Sequence, residues 1–142
     1  MTHSQEILDD HQQLDGLLRD LRVVSNWEPG HFQNPSVLAQ LGKDLHSLYV
    51  RLEAHFAIEE KGHYLTEVMR RRPQARPALE TLHAEHPELL GRVRSLQAFL
   101  ESSGPASRNP RTLKRELLFV LDRLKDHERK ETRLLQEVFG GG

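Results

Sequence analysis

Two histidine–glutamate pairs are the part of this sequence whose residue types and spacing could do chemistry. His55 precedes Glu59, and His127 precedes Glu131, by four residues, which places both members of each pair on one face of a helix. The rest of each face is apolar, so both pairs interrupt a leucine seam. A carboxylate buried there without a partner costs several kcal/mol or takes up a proton. A cation between the two pairs removes this cost, and the pattern therefore predicts a metal site.

Four amphipathic segments must position these pairs. Apolar residues recur every three or four positions in each segment, and each apolar seam contains a histidine. Asn34 and Asn109, each followed by proline, are predicted to begin the second and fourth helices. Short connections then predict an all-α fold, an antiparallel up-down-up-down four-helix bundle that forms a single domain over residues 1–142. The predicted helices span about 4–25, 35–71, 77–103 and 110–138.

Several positions are expected to shape these helices and the end of the bundle. A bend is expected at Gly42 or Gly62 in the long second helix. Pro87 removes the hydrogen bond to the carbonyl of His83 and should kink the third helix. Trp27 is expected to pack over one end of the bundle. The apolar residues predicted to face inward are Ile7, Leu14, Leu18 and Leu21; Leu38, Leu41, Leu45, Leu48 and Leu52; Leu79, Leu82, Leu89, Val93, Leu96 and Leu100; and Leu113, Leu117, Val120, Leu124, Leu134 and Val138.

The seam histidines fall at one height when the four helices are placed in such a bundle. Counted from the end where helices one and two are joined, they lie about 15 to 20 residues away. At a rise of about 1.5 Å per residue, this is one layer roughly 22 to 30 Å down the bundle. The two glutamates occupy the adjoining turn. We therefore predict six metal ligands: His11, His55, Glu59, His86, His127 and Glu131.

The types of these six ligands limit which metals they suit. The chain has no cysteine, and imidazole with carboxylate but without thiolate suits iron, zinc or manganese. Six ligands are too many for one tetrahedral zinc. Two irons bridged by two carboxylates use all six, with the glutamates bridging and the histidines in terminal positions.

The order of these residues resembles that of hemerythrin-like (HHE cation-binding) domains, and the resemblance covers essentially the whole chain. It implies two non-haem iron ions with an oxo or hydroxo bridge. It also implies a protein that binds oxygen, nitric oxide or peroxide as a sensor or scavenger. The short sequence segments on which the resemblance rests are Asp10-His11, His55-Phe56-Ala57-Ile58-Glu59-Glu60, Glu85-His86 and His127-x-x-x-Glu131.

The sequence departs from the oxygen-carrying hemerythrins in two places. Their third helix supplies a His-x-x-x-His pair, whereas Leu82 and Leu90 stand four residues from His86 here. Their fourth helix ends in His-x-x-x-x-Asp, whereas Thr132 occupies that last position. One ligand is missing or replaced, which weakens the case for reversible oxygen storage and leaves one iron more open. His83 either fills this gap or flanks the site.

Other functions and another architecture stay open. One alternative is a di-iron enzyme with catalase-like peroxide disproportionation, and another is a metal-free or zinc-stabilised helical interaction module. A ferritin-like di-iron protein is the rival architecture, since Glu60-x-x-His63 and Glu80-x-x-His83 match its motif. Those motifs fall on adjacent helices, however, and the first helix has no seam glutamate. Asp15 is expected to point outward, and His46 to be exposed or packed sideways.

Composition limits the partners. A net charge of −1 does not suggest a nucleic-acid partner. The arginines at 70–72 and 76 are interpreted as cations that favour a helix C-terminus. The sequence has no long apolar run, so we expect neither a signal peptide nor a membrane span. The absence of cysteine fits a reducing compartment, and a cytoplasmic protein is predicted. The oligomeric state stays open.

Overall fold

The computed structural model describes residues 3–60, 63–101 and 109–140, and within these ranges the chain is all-helical, without strands. This confirms the prediction of an all-α fold. Short 3-10 turns at Pro29–Gln33 and Pro73–Ala75 connect some of the helices. The described residues form five α-helices: α1 (His3–Ser25), α2 (Pro35–Glu60), α3 (His63–Arg71), α4 (Arg76–Glu101) and α5 (Pro110–Phe139).

The predicted second helix, 35–71, is described as two helices, α2 and α3. Lys61 and Gly62 lie between them, outside the described residues, so the bend expected at Gly62 falls there. The helix α2 continues through Gly42, and α4 continues through Pro87. The helix α3 contacts α1 and α5 as well as α2, so it reaches across one end of the other helices.

Each of the four long helices packs against two others. Both α1 and α4 contact α2 and α5. Between α1 and α5, Arg22 pairs with Asp122 at 2.8 Å and Asp15 pairs with Lys125 at 3.3 Å, so residue numbers rise in one helix as they fall in the other. The contacts between α4 and α5 run in the same reversed order, at Glu88–Arg123 and Glu85–His127.

Two helices begin at the asparagines that the sequence indicates. The Oδ1 of Asn109 accepts hydrogen bonds from the backbone amides of Arg111 at 2.9 Å and Thr112 at 3.3 Å. The Oδ1 of Asn34 accepts one from the amide of Ser36 at 2.9 Å. Each cap satisfies amides that the first helical turn leaves without a partner. Both predicted helix starts are therefore confirmed.

The predicted seams form the core. Every leucine and valine predicted to face inward is buried, except Val138, which is half-buried. The side chain of Ile7 lies outside the described residues. The sequence pattern missed Leu121 and Leu135 on α5, which are also buried. At the end near residues 26–35, the buried aromatic residue is Phe32, at 2% exposure, whereas Trp27 is 37% exposed. Phe32 fills that end, and Trp27 is the more exposed of the two side chains.

The core is divided into two apolar clusters. The larger one contains leucines from all four long helices, including Leu21, Leu45 and Leu117. The smaller one joins α3 to the start of α4 and the end of α5, and consists of Val68, Ala75, Leu79, Leu82, Leu134 and Leu135. Along α4 and α5, the predicted ligands lie between these two clusters. None of the described helices is both long and apolar enough to cross a membrane.

Candidate metal centre

All six predicted ligands are buried, and they converge between the two apolar clusters. The glutamates are the least exposed, Glu59 at 0% and Glu131 at 1%. Each of the four long helices supplies one of the histidines. The six residues are His11 on α1, His55 and Glu59 on α2, His86 on α4, and His127 and Glu131 on α5.

Their ligand atoms fall into two groups of four. In the first group, site A, His11 and His55 join the two glutamates; in the second, site B, His86 and His127 join the same two. Within each group the four ligand atoms lie within 4.8 Å of one another. Donors on opposite sides of a cation are separated by about 4.2 Å when each bond is about 2.1 Å long. Each group thus has the dimensions of a metal site, and both carboxylates are common to the two groups.

In site A, imidazole nitrogens and carboxylate oxygens lie within contact distance of one another. The Nε2 atoms of His11 and His55 lie 3.1 Å apart. His11 Nε2 also contacts Glu131 Oε1, and His55 Nε2 contacts Glu59 Oε1. Each Nε2 atom carries at most one proton, so it cannot donate to the other imidazole and to a carboxylate at the same time. A cation accepts a lone pair from every one of these atoms at once.

In site B, the inward ring nitrogens lack hydrogen bonds. His86 Nε2 lies 3.3 Å from Glu59 Oε2, and His127 Nε2 lies 3.8 Å from Glu131 Oε2. Neither nitrogen has a hydrogen-bond partner among the described residues. A buried polar atom without a partner costs about 1–3 kcal/mol. The donor set therefore fits a cation, because coordination satisfies both nitrogens.

The protonation of these groups also suits cation binding. Burial raises the pKa of Glu59, and the neighbouring Glu131 raises it further. Burial acts on Glu131 in the same direction, but hydrogen bonds with Glu59, His11 and His55 outweigh it and hold the pKa of Glu131 well below its usual range. Two neighbouring buried carboxyl groups disfavour a second negative charge, and a cation between them removes this repulsion. Burial lowers the pKa of His86 to about 4, so its imidazole is neutral, as a metal ligand must be.

Carboxylates on the outer side orient the two site B histidines. His86 Nδ1 donates to Glu60 Oε1 at 2.9 Å, and His127 Nδ1 donates to Glu85 Oε1 at 2.8 Å. A proton held at Nδ1 leaves the Nε2 lone pair directed into the centre. In site A, the hydroxyl oxygen of Thr132 lies 3.5 Å from His11 Nδ1.

A small cavity adjoins the six residues on the side of the larger apolar cluster. Its volume is about 20 Å³, which is enough for one molecule of the size of water. The ring of Phe56 forms part of its wall and stacks on His86, with centroids 3.8 Å apart and an interplanar angle of 6°. The cavity is lined by His11, Leu14, Leu18, Leu52, His55, Phe56, Leu124, His127 and Glu128.

A family model described as the hemerythrin HHE cation binding domain matches residues 2–139. The chain belongs to this family. Comparisons with curated proteins and with solved structures gave no match. The protein is thus a hemerythrin-like cation-binding domain, and its cluster of histidines and glutamates could hold metal.

Other candidates in this hemerythrin-like domain lie outside the two groups. The ring of His83 is half-buried beside site B, with its centroid 5.1 Å from that of His86. Asp15 is directed towards Lys125, at 3.3 Å, and His46 is exposed. The side chain of His63 lies outside the described residues. In the ferritin-like motifs, Glu60 bonds to His86, as described above, and Glu80 bonds to Arg76 at the surface.

Three residues of the hemerythrin-like site were not predicted. Glu60 directly follows the predicted ligand Glu59, and Glu85 directly precedes His86. Each of the two carboxylates bonds to a histidine on another helix, which no local sequence pattern reveals. The third is Glu128, which is half-buried at the cavity. Burial, together with a hydrogen bond to Asp15, raises the pKa of Glu128 to about 8. Its position directly after His127 is the one signal in the sequence.

Proposed function

We propose that this hemerythrin-like domain is a non-haem di-iron protein that binds oxygen, nitric oxide or peroxide as a sensor or scavenger. The observation that carries the proposal is that Glu59 and Glu131 belong to both four-atom groups. Two ions that share both carboxylates would each receive two histidine nitrogens as well. Iron accepts this mixture of imidazole and carboxylate. Bound iron would supply redox chemistry towards small oxygen- and nitrogen-containing molecules.

The surroundings of the six residues support the binding of a small ligand. Four protein donors leave positions free at an ion that takes six ligands. The two glutamates supply two negative charges against four positive charges of two ferrous ions, so an additional anionic ligand is favoured. The cavity of about 20 Å³ offers space for one molecule of the size of water beside these positions. Its leucines and Phe56 exclude bulk water from that space.

The proposal includes the architecture that holds the centre. We infer one domain in which α1, α2, α4 and α5 form an antiparallel up-down-up-down four-helix bundle. The reversed order of the contacts between α1 and α5, and between α4 and α5, supports this topology. The contacts of α3 with α1, α2 and α5 are consistent with a cover over the end nearest the metal centre.

The metal content of the protein tests the proposed function. We expect protein reconstituted with ferrous iron and then exposed to air to retain two irons per chain and to show the near-ultraviolet absorption of an oxygen-bridged ferric pair. His55→Ala should lose iron and absorption, because His55 is a site A donor. His46→Ala is the matched control, since His46 lies on the same helix but is exposed, and it should retain both.

Other metal contents would contradict the proposal. Wild-type protein that retains at most one iron, or equal iron in His55→Ala and wild type, would exclude the shared di-iron centre. Protein that binds zinc or no metal, with unchanged helicity, would favour the interaction module instead.

A catalase-like enzyme is the second candidate, and the position of Glu128 favours it. A carboxyl group on the wall of the cavity could transfer protons between peroxide molecules, which a general acid–base catalyst must do. We expect Glu128→Gln to lower peroxide consumption by about 100-fold or more, at unchanged iron content, if the protein is an enzyme. Glu88→Gln, at the surface of α4, is the control. No peroxide consumption by iron-loaded wild type would exclude this candidate and leave the binding role.

A further inference from the structure

A groove on the surface between α1 and α5 adjoins the small cavity at the metal centre. Its volume is about 420 Å³, and its lining includes the carboxylate of Asp15 and the apolar side chain of Leu18. Four cationic side chains also line it, and we call this region the basic groove. The four are Arg19, Arg22, Lys125 and Arg129.

We propose that the basic groove collects small, singly charged anions and admits them to the metal centre. This inference rests on the proposed function, because it requires a bound metal ion that accepts the anion as a ligand. It adds a class of ligand, to which hydroperoxide and nitrite belong, and an entrance to the site. No residue of the basic groove belongs to either group of ligand atoms.

Positive charge exceeds negative charge in the basic groove. Two of its four cations form ion pairs between α1 and α5, one with Asp15 and one with Asp122. Each of these acids balances one cation, so the exposed side chains of Arg19 and Arg129 supply a surplus. A surplus persists even if Glu128, on the wall of the cavity, is ionised. Because the whole chain has a net charge of −1, the surplus is local, and it increases the rate at which anions arrive.

The basic groove and the small cavity share a wall. Leu18 lines both of them and is 8% exposed. Asp15, on the groove, forms a hydrogen bond with Glu128, on the cavity. Three of the six predicted ligands line the same cavity. Since Leu18 belongs to both linings, we expect a change of its rotamer to connect the groove with the centre.

The dimensions and the apolar lining of the cavity select the kind of anion. A volume of about 20 Å³ holds one molecule of the size of water, so a phosphate ester is too large to pass beyond the groove. Leucines and Phe56 line the cavity, and a charge that enters apolar surroundings loses hydration energy. This loss is greater for a doubly charged anion such as sulfate. A small anion with one charge is therefore favoured.

Nuclear magnetic resonance of the metal-free full-length chain tests the capture of anions. Sodium azide is the probe, because azide is small and carries one charge near neutral pH. We expect the Nε–H signals of Arg19 and Arg129 to shift and reach saturation during the titration. Arg111 and Arg115 are the controls, since they are exposed on α5 but do not line the groove, and their signals should shift less. Equal shifts of all four signals would overturn the inference.

The rate of azide binding to iron-loaded protein, followed by stopped-flow visible absorption, tests the role of the charges. The double variant Arg19→Gln, Arg129→Gln should bind azide about 5-fold more slowly at low ionic strength. Salt of about 0.5 M should remove this difference by screening. The double variant Arg111→Gln, Arg115→Gln removes the same charge elsewhere and should bind azide as wild type does. Nitric oxide is neutral, so its binding to ferrous protein should be equally fast in all three proteins.

Leu18→Ala tests the shared wall. It should increase the rate of azide binding, because it shortens the side chain between the groove and the cavity. Leu100→Ala is the control: Leu100 is similarly buried, at 4% exposure, but lies about 21 Å along α4 from His86, and its loss should not increase the rate. Circular dichroism establishes that the helices of each variant are intact.

The outcomes separate this inference from the proposed function. If Leu18→Ala binds azide no faster than Leu100→Ala does, or if the two double arginine variants are equally slow, the entrance is overturned while the iron centre stands. Wild-type protein that holds no iron would overturn the proposed function and the entrance together, whatever the arginine signals show.

Discussion

Replacing Glu131 with leucine is expected to abolish the binding of both metal ions and to leave the metal-free protein at least as stable as the wild type. Glu131 is 1% exposed and belongs to both groups of ligands. Its loss therefore removes a donor, and a negative charge, from each position. Leucine has a similar volume and continues the apolar seam of α5.

The stability part of this expectation follows from the cost of burying charge. Glu131 lies against Glu59, so its replacement by an apolar side chain removes the repulsion between two buried carboxyl groups and is expected to be neutral or stabilising by about 1–4 kcal/mol. Urea unfolding in the presence of a chelator measures this change, and elemental analysis measures the metal. Glu137→Leu is the control, because Glu137 is exposed on the same helix. It should retain both ions and change stability by less than about 0.5 kcal/mol.

Two results would contradict this role of Glu131. Retention of both ions by Glu131→Leu would show that the carboxylate does not bridge them. A metal-free variant that is less stable than wild type by several kcal/mol would show that Glu131 stabilises the fold itself, apart from any cation.

Replacing Phe56 with alanine is expected to destabilise the protein by about 3–5 kcal/mol, whether or not metal is present. The ring is 3% exposed and lies within the larger apolar cluster, against His86 and His127. Its removal leaves a cavity beside site B and frees the His86 ring to turn. We therefore expect weaker metal binding at site B as a second effect.

Chemical denaturation with and without metal measures both effects of Phe56→Ala. Phe119→Ala is the matched control, because Phe119 is 45% exposed and the guanidinium of Arg92 lies over its ring, 4.7 Å from the ring centroid. It should cost about 1 kcal/mol or less. A cost below about 1 kcal/mol for Phe56→Ala as well would contradict the packing of this ring against the site B histidines.

The sequence predicts the helices and the inward faces well, because both depend on local periodicity. The three-and-four spacing of leucines places the core residues of α4 correctly from Leu79 to Leu100. The histidines and glutamates that break this spacing are the residues that the structure brings together, although their role as ligands stays a prediction. Placing them at one height required only the rise per residue and the order of the helices.

The sequence predicts less where a contact joins distant parts of the chain. Glu60 bonds to a histidine 26 residues away and Glu85 to one 42 residues away, so the register between helices decides both pairs. Phe32 is buried more deeply than Trp27, and the 3-10 turn that carries it contacts α2 and α5. The contacts of α3 across α1 and α5 likewise depend on the direction the chain takes after Glu60, which apolar spacing does not specify.

The distance between the two metal ions tests the shared-carboxylate centre most directly. X-ray absorption of iron-loaded protein should show an iron neighbour at less than about 4 Å from each iron, the separation of two ions held by common bridging ligands. Glu131→Leu should lose this signal, and Glu137→Leu should keep it. Two irons per chain in wild type with no iron neighbour at that distance would contradict the shared centre, because Glu59 and Glu131 would then not join the two sites.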